Sequence, residues 1–364
     1  MNYHKDVYRI ALTKVDGVGP HTAKLLISHL GSVEAVFEAS SNELHKIDGV
    51  GATIVKSLKS KSIFAEAQKE YEHCLKQNIK LLYYLDQNYP SRLKHFQDSP
   101  ILLYLKGNND INHKRTVGIV GTRSPSEYGK AMVEKLIEDL KPFDVIIVSG
   151  LAHGIDALAH RKAVACQIPT YGIMGGGFKK IYPAANRSLA QAMLKEGGII
   201  TEFGYESKPD REHFPMRNRL IAAMSDAVIV IESGKVGGSM ITADLANQYN
   251  KDVFAVPGRN IDTKSVGCNK LIKQHQANLI ESAADLSYIM GWNKAKEIQM
   301  TLALVDLKPD EQKIVDLLKA KGKLELDYLH YELELPISEL STTLLGLEFK
   351  SVIRSSPGRT YELA

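Results

Sequence analysis

The stretch TVGIVGTRSPSEYGKAMVEKLIEDLK, residues 116–141, decides the fold. A short apolar run, Thr116–Val120, breaks at Gly-Thr-Arg-Ser-Pro, and Ser126–Lys141 then has helical length and pattern. The same unit recurs along the chain. Strands are expected at Val145–Val148, Thr170–Met174, Gly198–Thr201, Ala227–Ile231 and Asp252–Ala255. Between them lie helical segments at Ile155–Cys166, Ala184–Glu196, Phe214–Met224 and Ser239–Asn250. Strict alternation of buried, β-branched strands with amphipathic helices predicts an α/β fold with a parallel, doubly wound, Rossmann-like sheet. Two further apolar runs, Ile79–Leu85 and Ile101–Lys106, extend that sheet ahead of the first unit.

Outward from this middle segment the pattern changes on both sides. KVDGVGPHTAKLL at 14–26 recurs as KIDGVGATIVKSL at 46–58. Each copy reads as a helix end, a Gly-Val-Gly turn and a new helix, a helix–hairpin–helix-like bundle whose glycines permit tight turns. Exposed N–H groups at such helix starts can hold a phosphate, although tight turning alone also explains the glycines. The far end reads as helices at Asp310–Lys321, Leu326–Glu334 and Ile337–Leu347, followed by two short strands around SSPGR. That is a winged-helix pattern. Its third helix has no basic residue before Lys350, so it is poorly suited to reading a major groove and better suited to packing or protein contact. The organisation expected is a helical domain at 1–77, a Rossmann-like domain at 78–292, a linker at 293–308 and a winged helix at 309–364.

The 364 residues, 44% hydrophobic and 24% charged, suit a globular protein of two or three domains. Cys74, Cys166 and Cys268 lie far apart and form no CxxC pair, which disfavours a disulfide framework or zinc cluster and fits a reducing cytoplasm. The start, MNYHKDVYRIALTKV, has no apolar run of signal-peptide length, and no segment is expected to span a bilayer. The net charge of +4 is uneven. From Pro309 onward 7 Lys and Arg face 10 Asp and Glu, a balance of −3, so the rest carries +7. An anionic polymer would therefore meet the first parts of the chain.

In doubly wound sheets ligands sit beyond the C-terminal strand ends. Here those ends carry small and basic residues. Gly121, Ser149–Gly150, Gly175–Gly176–Gly177 and Gly237–Gly238–Ser239 let backbone N–H groups face one crevice, with helix N-termini behind them. Arg123, Lys179, Lys180, Arg187, Arg217 and Arg219 add full charges, a pattern that suits several phosphates in a row. Pro215 suits a first helical position, and at ~100° per residue Arg217 and Arg219 point to roughly opposite faces. One of the two reaches the ligand, Arg217 by preference, while the other is paired internally. Phe214 is either core or a platform for an extruded base.

VSGLAHGIDALAH, residues 148–160, gathers a serine, two histidines and an aspartate, yet other chemistry fits it poorly. Ser149 lacks the GxSxG elbow, and His153 and His160 lack HExxH spacing. Ser149–Gly150 reads instead as a phosphate-facing turn, Asp156 as a residue at the helix start, His160 as packed and His153 as a surface residue. GIVGTR is not GxGxxG and GKVGGSM is not a Walker A loop, which disfavours a dinucleotide cofactor and ATP hydrolysis.

At these residues the chain resembles the DprA (Smf) family of DNA-processing proteins, which load RecA onto single-stranded DNA during natural transformation. GIVGTRSPSEYG, IIVSGLAHGIDALAH, GIMGGGFKKIYPAANR, GGIITEFGYESKPDREHFPMRNRLIAAMSDAVIVIE and GGSMITADLANQYNKDVFAVPG carry the resemblance, in family order, across the middle segment. It implies an extended Rossmann fold that binds single-stranded DNA without hydrolysis, with no cofactor or metal, as a homodimer that contacts RecA. By motif it marks GTR (Gly121, Thr122, Arg123), Ser149, Gly150, the GGG loop, FPxRNR (Phe214, Arg217, Asn218, Arg219) and the GGS turn as ligand-facing. Lys179 stands where the family commonly has aspartate, and His153 where many members carry arginine.

The competing reading is an enzyme, a Rossmann-like nucleotide phosphoribohydrolase. Such enzymes carry PGGxGTxxE, and SGKVGGSMITAD has no glutamate at that spacing. A third reading, compatible with the first, makes the acidic winged helix a protein-binding face.

Overall fold

The described residues between 5 and 76 form six helices, and the two Gly-Val-Gly stretches among them take the same conformation. These helices are α1 (Lys5–Thr13), α2 (Pro20–Leu30), α3 (Val33–Glu38), α4 (Ser41–His45), α5 (Ala52–Leu58) and α6 (Ser62–Lys76). The computed structural model describes residues 3–60, 62–108, 111–112, 114–292, 307–356 and 358–363. In each repeat the first glycine has a positive φ, +80° at Gly17 and +84° at Gly49, a conformation that costs glycine little. The second glycine, Gly19 or Gly51, is the extended residue that precedes α2 or α5. The buried faces of these helices, with Ile10, Leu26, Val36 and Leu44, share one core with Tyr83, Leu102 and Tyr104 of the sheet. A polar joint reinforces it. Glu70 of α6, buried, accepts the Tyr205 backbone N–H, and the His73 ring stacks on Tyr205 at 4.8 Å.

Among the described residues the sheet has nine strands. β1 (Lys80–Tyr83) and β2 (Leu102–Gly107) are followed by β3 (Arg115–Gly121), α7 (Glu127–Leu140), β4 (Val145–Ser149), α8 (Ile155–Ala165) and β5 (Thr170–Ile173). Then come α9 (Arg187–Met193), β6 (Gly198–Thr201), α10 (His213–Met224), β7 (Ala227–Ile231), α11 (Gly238–Gln248) and β8 (Asp252–Ala255). α12 (Val266–Lys273), β9 (Asn278–Leu279) and α13 (Ala283–Met290) complete the series. The spatial order is β1-β2-β6-β5-β4-β3-β7-β8-β9. β6 through β9 in that order run parallel. β1 and β2 extend the sheet as expected from their apolar runs, and they run antiparallel, with Tyr104 opposite Thr201. The strands expected in the middle segment are all present.

The differences lie at weak signals. The helix expected over Ala184–Glu196 is a 3₁₀ turn, Ala184–Asn186, followed by the shorter α9. The two-residue strand β9 is exposed and too short for any alternation to show, and α12 and α13 are further elements outside the expected set. Helix α7 behaves as its pattern dictates. Ser126 accepts the Gly129 N–H at its start, and Met132, Val133, Leu136, Ile137 and Leu140 form its buried stripe.

Two compact units result, one of residues 1–141 with 145–285 and the other of 142–144 with 286–364. The second contains helices at Pro309–Lys321, Leu326–Leu333 and Ile337–Phe349. Its sheet joins Ile353–Ser356 and Thr360–Leu363 with a third short strand, Leu324–Glu325, which the sequence pattern does not reveal. Ile314, Leu318, Leu329, Leu340, Leu344 and Leu347 form its own core, and the arrangement is a winged helix. The linker expected at 293–308 falls, over residues 293–306, outside the described residues.

Candidate nucleic-acid interface

β3 sits at the centre of the parallel sheet, with β4, β5 and β6 built out on one side and β7, β8 and β9 on the other. Connections from β3 and from β7 therefore leave in opposite directions, and a crevice opens between their C-terminal ends. It measures about 620 Å³. Of the residues expected at a ligand, the structure brings Gly121, Thr122, Arg123, Phe214, Arg217, Asn218, Gly237, Gly238 and Ser239 to its wall.

The loop after β3 is held from both sides. A Cβ at Gly121 would collide with the Ile231 carbonyl oxygen of β7, so only glycine lets the two strand ends pass so closely. The Thr122 N–H donates to the Glu232 carbonyl at 2.8 Å, and the Thr122 carbonyl accepts the Ile155 N–H of α8 at 3.1 Å. The Glu232 side chain, buried, accepts the Ser126 N–H at 2.8 Å and the Ser126 hydroxyl. A protein carboxylate thus stands at the N-terminus of α7, where an anion is electrostatically favoured. Arg123, just before it, is exposed at the crevice mouth.

The turn after β4 differs from its sequence reading. Ser149 is fully buried and its hydroxyl donates to the Ile119 carbonyl at 2.6 Å. The Gly150 and Ala152 N–H groups point at Asp156 Oδ2, at 3.1 and 3.4 Å. Ser149 and Gly150 therefore do not face the crevice, because an internal anion already fills the turn. Burial raises the Asp156 carboxyl above its usual range, opposed by the nearby Arg217 guanidinium and by these N–H groups. His160 is fully buried with Nδ1 at 2.6 Å from the Thr170 hydroxyl, and His153 is exposed on the loop.

Arg217 lines the crevice but is only 5% exposed. Its Nε donates to Asn218 Oδ1 at 3.0 Å, and Nη1 donates to the Gly150 and Ile173 carbonyls. Burial lowers its pKa to about 10, with Asp156 opposing, so it stays cationic at neutral pH. The structure places Arg217, expected as the ligand contact, in the crevice lining as a buried tie between strand ends. Arg219 is paired internally, as one of the two was expected to be, with Glu202 and the Asp98 carbonyl. Pro215 is the third residue of α10 rather than its first, still within the turn whose N–H groups have no helical partner.

The GGG loop is also not at the crevice. Gly175, Gly176 and Gly177 are buried beneath residues 204–214, and a Cβ at Gly177 would collide with the Gly204 and Tyr205 carbonyls. The Gly177 N–H donates to the Ser207 carbonyl at 2.8 Å. These glycines serve close backbone packing. Lys179, exposed, pairs with Glu206 at 2.8 Å, and Lys69 of α6 reaches the same carboxylate at 3.3 Å. The two lysines hold the Glu206 pKa down at about 2. Lys180 and Arg187 are exposed outside the crevice lining.

Three features of the wall stand open. The N-terminus of α11 has no side-chain cap: Gly237 has φ 154° and both Gly237 and Gly238 are exposed. Ser239 is tied to Ser233 at 2.8 Å and Asn218 Nδ2 donates to the Gly238 carbonyl at 3.2 Å, which fixes this turn. The second feature is a pair of exposed arginines, Arg123 and Arg211. Arg211 is absent from the expected set, and no charge pattern in the sequence marks it, because the stretch between β6 and α10 holds four carboxylates against Lys208 and Arg211. The third is a pair of rings, Phe214 and Tyr182, with centroids 5.8 Å apart. Tyr182 is likewise outside the expected set.

An α/β protein of doubly wound topology, with an anion-receptive crevice at its switch point and a winged helix, is thus defined. The chain belongs to the DNA recombination-mediator protein A family, whose model matches residues 80–291. A SAM-like helix–hairpin–helix tandem matches residues 10–61, and the DprA winged-helix domain matches 299–359. Protein Smf of Synechocystis is 29% identical across 98% of both chains. The DNA processing protein DprA of Bacillus subtilis is 41% identical over 58% of this chain and 71% of its own. Among solved structures, DNA processing protein A of Streptococcus pneumoniae matches with a TM-score of 0.64 at 30% identity, over 80% of this chain and 99% of that one. DNA processing protein A of Helicobacter pylori, described for its single-stranded DNA binding mode, matches at TM-score 0.54 and 30% identity, over 59% of this chain and 97% of that one.

Proposed function

We propose that this chain binds single-stranded DNA in the crevice between β3 and β7, without covalent chemistry, and delivers it to RecA for recombination. The observation that carries the reading is the combination of two exposed arginines, an uncapped helix N-terminus and a pair of rings on one crevice wall. Arg123 and Arg211 meet phosphates as full charges, and the α11 N-terminus offers backbone N–H groups to another. Arg217, Asp156 and Glu232 hold the strand ends that carry these groups. The family's description as a recombination mediator and the single-stranded DNA binding mode described for the Helicobacter pylori protein support the same ligand. Homodimerisation through the sheet domain and a cytoplasmic site of action complete the proposal. Among the described residues no helix is long and apolar enough to cross a membrane.

Fluorescence anisotropy of labelled oligo-dT and of matching duplex, across a salt series, tests it. Tight single-strand binding that weakens steeply with salt is expected. Absence of oligonucleotide binding at low salt would overturn the reading and turn attention to nucleotide hydrolysis.

A further inference from the structure

Phosphate contacts alone explain only part of this crevice. Beside its arginines it exposes apolar surface: Tyr182 is 49% exposed, Val236 85% and Ile241 42%. Tyr182 stands next to Phe214 with the ring planes at 43° and the centroids 5.8 Å apart. At that tilt and distance the rings do not stack face to face, so a face of the half-exposed tyrosine is left for another flat group. A crevice meant only for phosphates gains nothing from such surface in water.

We propose that Tyr182 stacks on an unpaired nucleobase and thereby sets the preference for single strands over duplex. This rests on the reading of the crevice as a DNA site and assigns a role to a residue outside the basic set. Duplex bases present only their edges in the grooves, whereas an unpaired base can lay its face on a ring. The phosphates are shared by both forms of DNA, so Arg123 and Arg211 cannot by themselves discriminate between them. The aromatic ring can. Stacking carries no net charge, so its contribution is independent of the counterions released by the arginines.

The test uses the full chain and two probes of equal length, oligo-dT and an abasic oligonucleotide that keeps the phosphates and lacks the bases. Tyr182→Ala should weaken oligo-dT binding roughly tenfold. It should leave both the salt dependence and the affinity for the abasic probe as in the wild type. Tyr182→Phe, which keeps the ring, should bind oligo-dT within about twofold of wild type. Unchanged abasic binding also shows that the alanine variant is folded. Wild-type affinity of Tyr182→Ala for oligo-dT, or an equal loss on both probes, would overturn the stacking role while leaving the crevice as a DNA site. Failure of the wild type to bind either probe would instead overturn the reading of the crevice, and this inference with it.

Discussion

At the scale of single residues, charge and burial separate the arginines of the crevice. Arg123 and Arg211 are exposed, whereas Arg217 is buried against strand-end carbonyls. Replacing either exposed arginine with alanine should weaken oligo-dT binding and flatten the plot of log affinity against log salt by about 0.7. The salt series reads this directly, and an unchanged slope would remove that residue from the phosphate path. His160 supplies a pH dependence. Burial takes its pKa from 6.5 down to about 3, and the Arg217 charge pushes the same way. Between those values the unfolded chain holds a proton that the folded chain lacks, so stability is lost as pH falls below 6.5. The expected loss is about 1.4 kcal/mol per pH unit. Denaturant melts of wild type and His160→Asn from about pH 7 to pH 5 should show that extra slope only in the wild type. Parallel slopes would mean that the histidine titrates normally in the fold. The residue scale is also where sequence reading fails most. Ser149, Gly150 and the GGG loop look ligand-facing in the sequence because glycine-rich strand ends usually free backbone N–H groups. Asp156, six residues on in the same motif, and the loop at 204–209, about thirty residues from the GGG loop, occupy theirs.

At the scale of elements, α7, α8, α10 and α11 begin near the crevice and differ in what stands at their first turn; α10 follows Glu212, has no side-chain cap and carries Pro215, which has no N–H, as its third residue. Glu232 occupies the start of α7 and Asp156 that of α8, while α11 begins with bare glycines. Protein carboxylates at α7 and α8 disfavour a phosphate there, and the proposal takes α11, whose first glycines are exposed, as the start that receives one. Gly238→Asp tests this. A Cβ there meets only Asn218 Nδ2, at an ordinary 3.6 Å, so the substitution fits. A carboxylate in the first turn should stabilise the helix by about 0.3–1 kcal/mol and at the same time lower affinity for single-stranded DNA. Thermal melting and anisotropy should therefore move in opposite senses. Stabilisation with unchanged DNA affinity would show that no phosphate reaches α11. The winged helix gives the opposite case. Its third helix exposes Leu345 and Phe349, and Lys350 at its end is held by Glu311 at 2.7 Å. The sequence expectation that this helix suits protein contact better than a major groove rests on Glu339, Glu348 and the lack of a basic residue before Lys350.

At the scale of the molecule, the cores decide how the chain unfolds. The N-terminal helices share buried side chains with β1 and β2, while the winged helix has a core of its own. Calorimetry should therefore show two transitions, with the helical segment melting together with the sheet. Glu70→Ala strands the Tyr205 N–H at their joint and should lower the sheet's transition, at a cost of about 1–3 kcal/mol, without moving the other. Three separate transitions, or a shift of the winged-helix transition, would contradict the shared core.

What the sequence determined by itself is the order of strands and helices, the doubly wound sheet and the winged-helix pattern. Each is written in local periodicity and in glycine or proline at the turns, signals that a span of a dozen residues carries. It also located the switch-point crevice, since strand ends are fixed once the strands are. Only the tertiary structure decided which groups at those ends remain open. That outcome depends on partners far along the chain: Glu232 on Ser126, Asp156 with Arg217 across two strand ends, Glu202 on Arg219, Glu206 on Lys179. A buried cation must be paired or hydrogen-bonded, and an exposed one need not be. Burial, which no local pattern records, therefore separated the arginines that hold the fold from those that face the solvent.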